Sequence, residues 1–221
     1  MEDIYSEEED TINLKVVVIG EVGVGKTSII KQFISKSFSK NVPSSVSGQY
    51  CQKVFKLDDG KNLQFDIWDT AGEEKYRTLV KMFYQDASAA ILVYDITRKE
   101  TFDEIKNYWY KEITQTCPNI ILIIDANKVD LIEEEKVDEK EARKFAEELN
   151  AIFCSSSAKE NINIDEIFFK IGKKYFGNDN LKFSENNDKK DNLIVNGRDS
   201  IKLSKNDSVK KKKKKKFCCK N

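Results

Sequence analysis

Residues 14–27 read LKVVVIGEVGVGKT. Six residues rich in branched apolar side chains run into a turn with glycines at 20, 23 and 25, and then into KTSIIKQFI (26–34), which has helical spacing. A continuous apolar run of this length reads as a strand buried on both faces. GEVGVGKT (20–27) fits G-x-x-x-x-G-K-[ST] and lies where that pattern has a mechanism, after a strand and before a helix. Glycines let successive backbone N–H groups curl around phosphate at a helix N-terminus. The candidate phosphate loop is Gly20, Glu21, Val22, Gly23, Val24, Gly25, Lys26, Thr27 and Ser28. Lys26 reaches the β and γ phosphates, and the Thr27 hydroxyl is a ligand for Mg²⁺. The competing reading is a chance glycine-rich turn, and it weakens with each further motif.

Downstream, DTAGEE (69–74) follows the run NLQFDIW. Asp69 ends a strand on the same side of the sheet as the phosphate loop, placing a carboxylate to hold Mg²⁺ through water. Gly72 offers an N–H to a γ-phosphate. NKVD (127–130) follows the apolar run IILIIDA. The Asp130 carboxylate matches the two N–H donors on the guanine edge, whereas adenine would leave a buried charge unpaired; such discrimination can reach about 10⁴–10⁵. Asn127 can bridge the base and the phosphate loop, and the Lys128 stem can lie along the base. SSAK (156–159) supplies the Ala158 N–H for the guanine oxygen, flanked by Ser157 and Lys159.

Around these motifs, short apolar runs alternate with helical patterns from residue 14 to about 176. CQKVFKL and NLQFDIW flank Asp58-Asp59-Gly60-Lys61, a hairpin signal. The rhythm implies an α/β P-loop NTPase fold: a doubly wound, six-stranded, mostly parallel sheet with one antiparallel strand and about five helices. Residues 1–12 read as a disordered acidic arm, 13–176 as the nucleotide-binding domain, and 177–221 as a disordered tail rich in Asn, Asp, Lys and Ser. The 221 residues carry zero formal net charge, but residues 205–221 hold nine Lys and one Asp, which leaves the body acidic. That distribution argues against nucleic-acid binding and suits a tail that seeks an anionic surface. No apolar run is long enough to span a bilayer. The N-terminus lacks a secretion signal, and Glu2 stands where myristoylation needs glycine. A cytosolic chain with reduced thiols is expected, with Cys51, Cys117 and Cys154 as packing or surface residues. The chain has no histidine, which excludes His-based triads.

The four motifs, in this order and spacing, resemble the Ras superfamily of small GTPases over about residues 12–176. LQFDIWDTAGEEKYRTL (63–79), AAILVYDIT (89–97) and the paired terminal Cys are most similar to the Rab family, and the CCKN ending resembles its endosomal subgroup. The resemblance implies a GTP/GDP switch that binds Mg²⁺, hydrolyses GTP and recruits effectors. It implies an exchange factor, an activating protein and a GDP-dissociation inhibitor or escort protein as partners. Residue by residue it makes Phe38 a base-stacking ring and Ser45 a Mg²⁺ ligand that senses the γ-phosphate. Residues 38–48 become the first switch and about 70–84 the second. Lys26, Gly72 and Glu73 become the catalytic set. Tyr50, Trp68 and Phe83 fall where Rab proteins keep an effector-reading aromatic triad; plain core packing is the other reading. Three departures stand out: Ser45-Val46-Ser47 for Thr-Ile-Gly, Glu73 for the water-orienting Gln, and Val22 for a small residue. The last two imply slow intrinsic hydrolysis, and with it an alternative reading as a scaffold held in the GTP state.

The chain ends KKKKKKKFCCKN (210–221). The resemblance implies geranylgeranyl groups on Cys218 and Cys219 and residence on the cytosolic face of an endosome or vesicle, cycling with the cytosol. Two lipid chains anchor stably where one binds reversibly. The lysine run reads either as a basic membrane-seeking segment or as compositional bias. A linker of about 40 residues spans roughly 35 Å as a random coil.

Overall fold

In a computed structural model of the chain, residues 11–39, 48–70 and 82–185 are described. The sheet order is β6-β5-β4-β1-β3-β2-β7. The strands are β1 (Thr11–Ile19), β2 (Gln49–Leu57), β3 (Asn62–Asp69), β4 (Ala89–Asp95), β5 (Ile121–Asn127), β6 (Ile152–Ser156) and β7 (Phe183–Glu185). β1, β3, β4, β5 and β6 are parallel, and β2 runs antiparallel to β3. The helices are α1 (Lys26–Ser35), α2 (Lys99–Glu104), α3 (Tyr110–Thr116), α4 (Glu139–Glu148) and α5 (Ile164–Phe176). A π-helical segment, Ile105–Trp109, joins α2 to α3.

Alternation along the central strands sorts their side chains to two cores. Val16, Val18, Ile91, Val93 and Ile123 face α1 and α5. Val17, Ile19, Leu92, Tyr94 and Ile124 face α2, α3 and α4. In α5, the buried Ile164, Ile167, Phe168 and Ile171 follow the i, i+3, i+4, i+7 spacing of one helical face. Acidic Asp165 and Glu166 open that helix and Lys173 and Lys174 close it, as the helix dipole favours. Phe168 stacks on Phe33 of α1 at 3.7 Å, with Phe65 edge-on to both rings. The expected hairpin forms, with Gly60 at a φ of 86° and the Leu57 N–H donating to the Lys61 carbonyl at 2.9 Å.

The α/β P-loop architecture is as expected, but the sheet has seven strands rather than six. Residues 177–185, read from composition as tail, return to the sheet. β7 pairs antiparallel with Phe55, Lys56 and Leu57 of β2. Phe183 stacks on Phe169 at 4.5 Å and meets Phe55 edge-on, and Leu181 is buried. Gly172 leaves room for the ring, since a Cβ there would lie 2.9 Å from it. At the other boundary β1 begins at Thr11, inside the expected arm, because its polar first residues pair with Asn62–Gln64 of β3.

The strand order reverses at β1, which has β3 on one side and β4 on the other. Ligands of open α/β sheets sit at such a switch point, beyond the carboxyl ends of the strands. There the phosphate loop leaves β1, and Asp69, Asp95, Asn127 and Ser156 end β3, β4, β5 and β6.

Candidate nucleotide site

The loop between β1 and α1 is built on glycine conformations. Gly23 has a φ of 76° and Gly25 a φ of 105°. A Cβ on Gly20 would lie 2.2 Å from the Val93 carbonyl oxygen, and one on Gly25 2.2 Å from Asn127 Nδ2. The loop therefore lies against β4 and β5 at a distance no side chain permits. Gly25 is the N-cap of α1 and offers no side-chain cap, and a helix N-terminus is a place where backbone N–H groups receive an anion. Lys26 is buried, and its ammonium donates to the carbonyls of Gly20 at 2.8 Å and Glu21 at 3.0 Å. Burial lowers its pKa to about 8, against the opposing pull of Asp69 and Glu21. A phosphate group beside it would favour the charged form.

The Thr27 hydroxyl donates to Asp69 Oδ2 at 2.6 Å across the mouth of the loop. A hydroxyl that gives its proton to a carboxylate keeps oxygen lone pairs for a hard cation. This donor set fits Mg²⁺.

The base side is wired to the phosphate side through Asn127. Its Nδ2 donates to the Val24 carbonyl at 2.7 Å, and its Oδ1 accepts from the Ala158 N–H at 3.2 Å. One side chain, 1% exposed, thus ties the phosphate loop to the turn after β6. The Ala158 N–H, expected to serve guanine, is engaged by Asn127 here. Lys128 has a φ of 71°, and its ammonium sits on Asp95 Oδ2 at 2.5 Å. Asp130 Oδ1 accepts from the Ser157 hydroxyl at 2.6 Å and Oδ2 from Lys159 at 3.2 Å. Burial pushes the Asp130 carboxyl up, but these bonds outweigh it and hold it below its ordinary value. A bond from its own backbone N–H adds to these and helps keep the carboxylate ionised.

Asp95 and Arg98 join this network without having been singled out in the sequence. Asp95, 2% exposed, accepts from Lys128, from the Thr97 N–H and hydroxyl, and from Arg98 Nε at 3.2 Å. Arg98 also donates to the Val22 carbonyl at 2.9 Å, bracing the phosphate loop from the far side. Burial pushes the Asp95 carboxyl up, and the bonds from Lys128 and Thr97 bring it below its ordinary value. The signal was present: Asp95 ends a buried strand at the same sheet edge as Asp69.

Tyr50, Trp68 and Phe83 come together in one cluster. Ring centroids are 5.2 Å apart for Tyr50–Trp68 and 5.4 Å for Trp68–Phe83, and all three rings are half-buried. The Tyr50 hydroxyl donates to Asp66 at 2.6 Å. Phe38 lies beyond the end of α1 and is 40% exposed. Ser28 lies in the first turn of α1. Ser45, Gly72, Glu73, Cys218 and Cys219 lie outside the described residues, as does most of each switch. Among the described residues no helix is long and apolar enough to cross a membrane, and no cluster of acidic or thiol side chains forms a metal cage.

A glycine-built loop between β1 and α1, tied through Asn127 to the turn after β6, defines a P-loop protein. Residues 15–176 match the model of the Ras family, and the chain belongs to that family. It is 43% identical over 162 residues to the Ras-related protein Rab-22A of Homo sapiens, an alignment covering 73% of this chain and 82% of that protein. Rab-22A of Canis lupus familiaris is likewise 43% identical, and that of Mus musculus 41%, with the same coverage. The chain is thus a Rab-type small GTPase, which binds GTP and GDP with Mg²⁺, hydrolyses GTP and acts as a switch toward effectors.

Proposed function

We propose that this GTPase works on the cytosolic face of an endosomal or vesicle membrane, anchored by geranylgeranyl groups on Cys218 and Cys219. Its similarity to Rab-22A and the paired terminal Cys support that reading. Its partners are then effectors reading Tyr50, Trp68 and Phe83, with an exchange factor, an activating protein and a GDP-dissociation inhibitor or escort protein. The half-exposed triad supports the first of these.

The residue roles follow from chemistry at the site. The N–H groups of Glu21–Ser28 hold phosphate, and Lys26 neutralises it. Thr27, with Ser45 and Asp69, holds Mg²⁺, which draws charge from the phosphate oxygens when bound. Gly72 and Glu73 address the γ-phosphate and the attacking water. Asp130 reads guanine, Lys128 and Phe38 cover the ring, and Ser157, Ala158 and Lys159 shape its rim. The observation that carries this assignment is the Asn127 bridge, which ties the phosphate loop to the turn after β6 and supports a base pocket between them. Competition against a bound fluorescent GDP tests it: GDP and GTP should displace the probe at equal, low concentrations, and ATP should not. Displacement by ATP at similar concentration overturns it.

A second reading, a GTP-held scaffold with little turnover, is favoured by Val22. Its branched side chain is 42% exposed on the phosphate loop, where water or a partner's arginine would enter.

A further inference from the structure

Asp125 lies in the middle of β5, two residues before Asn127, and is fully buried. Its Oδ2 accepts the Ser156 hydroxyl proton at 2.8 Å, and its Oδ1 has no hydrogen-bond partner among the described residues. The same Ser156 oxygen stands 3.4 Å from Asn127 Oδ1. Ser156 has one proton to give. While it goes to Asp125, the Ser156–Asn127 contact sets two acceptors against each other.

We propose that Asp125 is a positioning residue for the guanine pocket, and that gain or loss of its proton reverses the Ser156 hydrogen bond and so tightens or loosens the Asn127 bridge. With a proton on Oδ2, Asp125 donates to Ser156 Oγ, and the Ser156 hydroxyl turns its own proton to Asn127 Oδ1. Asn127 then accepts from both Ser156 and Ala158, and its grip on the Val24 carbonyl is fixed more firmly. With Asp125 ionised, Ser156 turns back and Asn127 loses that donor. One proton enters or leaves at the carboxyl, and no covalent bond changes.

The surroundings place this switch near neutral pH. Burial raises the Asp125 pKa to about 7, opposed by the Ser156 bond and the more distant Lys170. Cys154 is its register partner on β6, and burial pushes that thiol up to about 12. Lys170 of α5 lies 3.8 Å from Cys154 Sγ and pairs with Glu166 at 2.9 Å, which more than offsets its burial and keeps it charged. Tyr94 of β4 has a buried hydroxyl that burial holds protonated. Tyr94 belongs to the opposite face of the sheet, and on the α5 face the neighbours Val93, Ile123, Ile164 and Ile167 are apolar.

The proposal rests on the guanine-pocket reading, and its test is separable from it. Release of fluorescent GDP would be timed from pH 5.5 to 8.5 for the wild-type chain, Asp125→Asn and Ser156→Ala. Wild-type release should accelerate by about 2- to 10-fold from pH 6 to 8, the effect of one hydrogen bond. Asp125→Asn keeps a permanent donor toward Ser156, so its release should stay slow and lose that acceleration. Ser156→Ala cuts the relay and should lose it as well. Titration of the nucleotide phosphates or of Lys26 would act on all three proteins alike. A wild-type acceleration no larger than that of either variant overturns the relay. If Asp125→Asn does not fold, Ser156→Ala decides alone. Failure of the guanine reading would appear instead as loss of preference for GDP over ADP at every pH.

Discussion

Replacing Asn127 by Ala should release bound nucleotide much faster while leaving the fold intact. The side chain is buried and makes two inter-loop bonds, to the Val24 carbonyl at 2.7 Å and from the Ala158 N–H at 3.2 Å. Alanine can make neither. Val24 is fully buried and Ala158 is 4% exposed, so both partners lose a bond where water does not easily replace it. A buried group left unsatisfied costs about 1–3 kcal/mol. The void left beside Gly25, where the Asn127 amide fills the space a Cβ would need, adds freedom to the phosphate loop. Part of the total falls on the nucleotide-free protein and part on the complex. A conservative share of about 2 kcal/mol for the complex accelerates release by about 30-fold. The assay is the decay of fluorescent GDP signal under excess unlabelled GDP, with a thermal melt on the same samples. Release within threefold of wild type, in a protein that melts normally, would refute the claim that Asn127 couples the two loops.

Other outcomes follow from the same geometry. Phe183→Ala removes a ring stacked on Phe169 and set against Gly172; it should cost about 2–4 kcal/mol of stability, and an unchanged denaturation midpoint would mean that β7 adds nothing. Glu73→Gln should raise single-turnover hydrolysis, Val22→Gly should raise it further, and the pair should exceed either, because a carboxylate has no donor for the phosphoryl oxygens; equal rates in all variants would remove the argument for slow turnover. Cys218→Ser with Cys219→Ser should move the protein from membrane to cytosolic fractions despite the lysine run, and retention on membranes would assign attachment to the lysines.

How far the sequence could be read depends on whether a feature is local. The phosphate loop, Asp69, the hairpin at Gly60 and the central strands were legible because a few consecutive residues carry each signal. β7 was not: Phe183 sits in a polar stretch, and its strand exists only because β2 presents an edge and Phe55, Phe169 and Gly172 form a slot. The π-helical segment Ile105–Trp109 is likewise invisible to a 3.6-residue period. At the site, the motifs named the residues, but some of their bonds were not foreseeable. That Arg98 reaches Val22, and that Ala158 gives its N–H to Asn127, are matters of distance between segments far apart in the chain. Asp125 was read simply as part of an apolar run, although one acid inside IILIIDA was a mark of something buried and polar.

Base choice tests the account most directly. Ser157 and Lys159 hold the Asp130 carboxylate in place and ionised, and the proposed function assigns it to the two N–H donors of guanine. Asp130→Asn replaces one acceptor by a donor, which matches the carbonyl that xanthine carries in place of the guanine amino group. Equilibrium binding of GDP and xanthosine diphosphate to both proteins is the measurement. The wild type should prefer GDP, and the variant should lose about 100-fold or more in GDP affinity and prefer xanthosine diphosphate. A variant that still binds GDP as tightly as the wild type would contradict the assignment of the pocket.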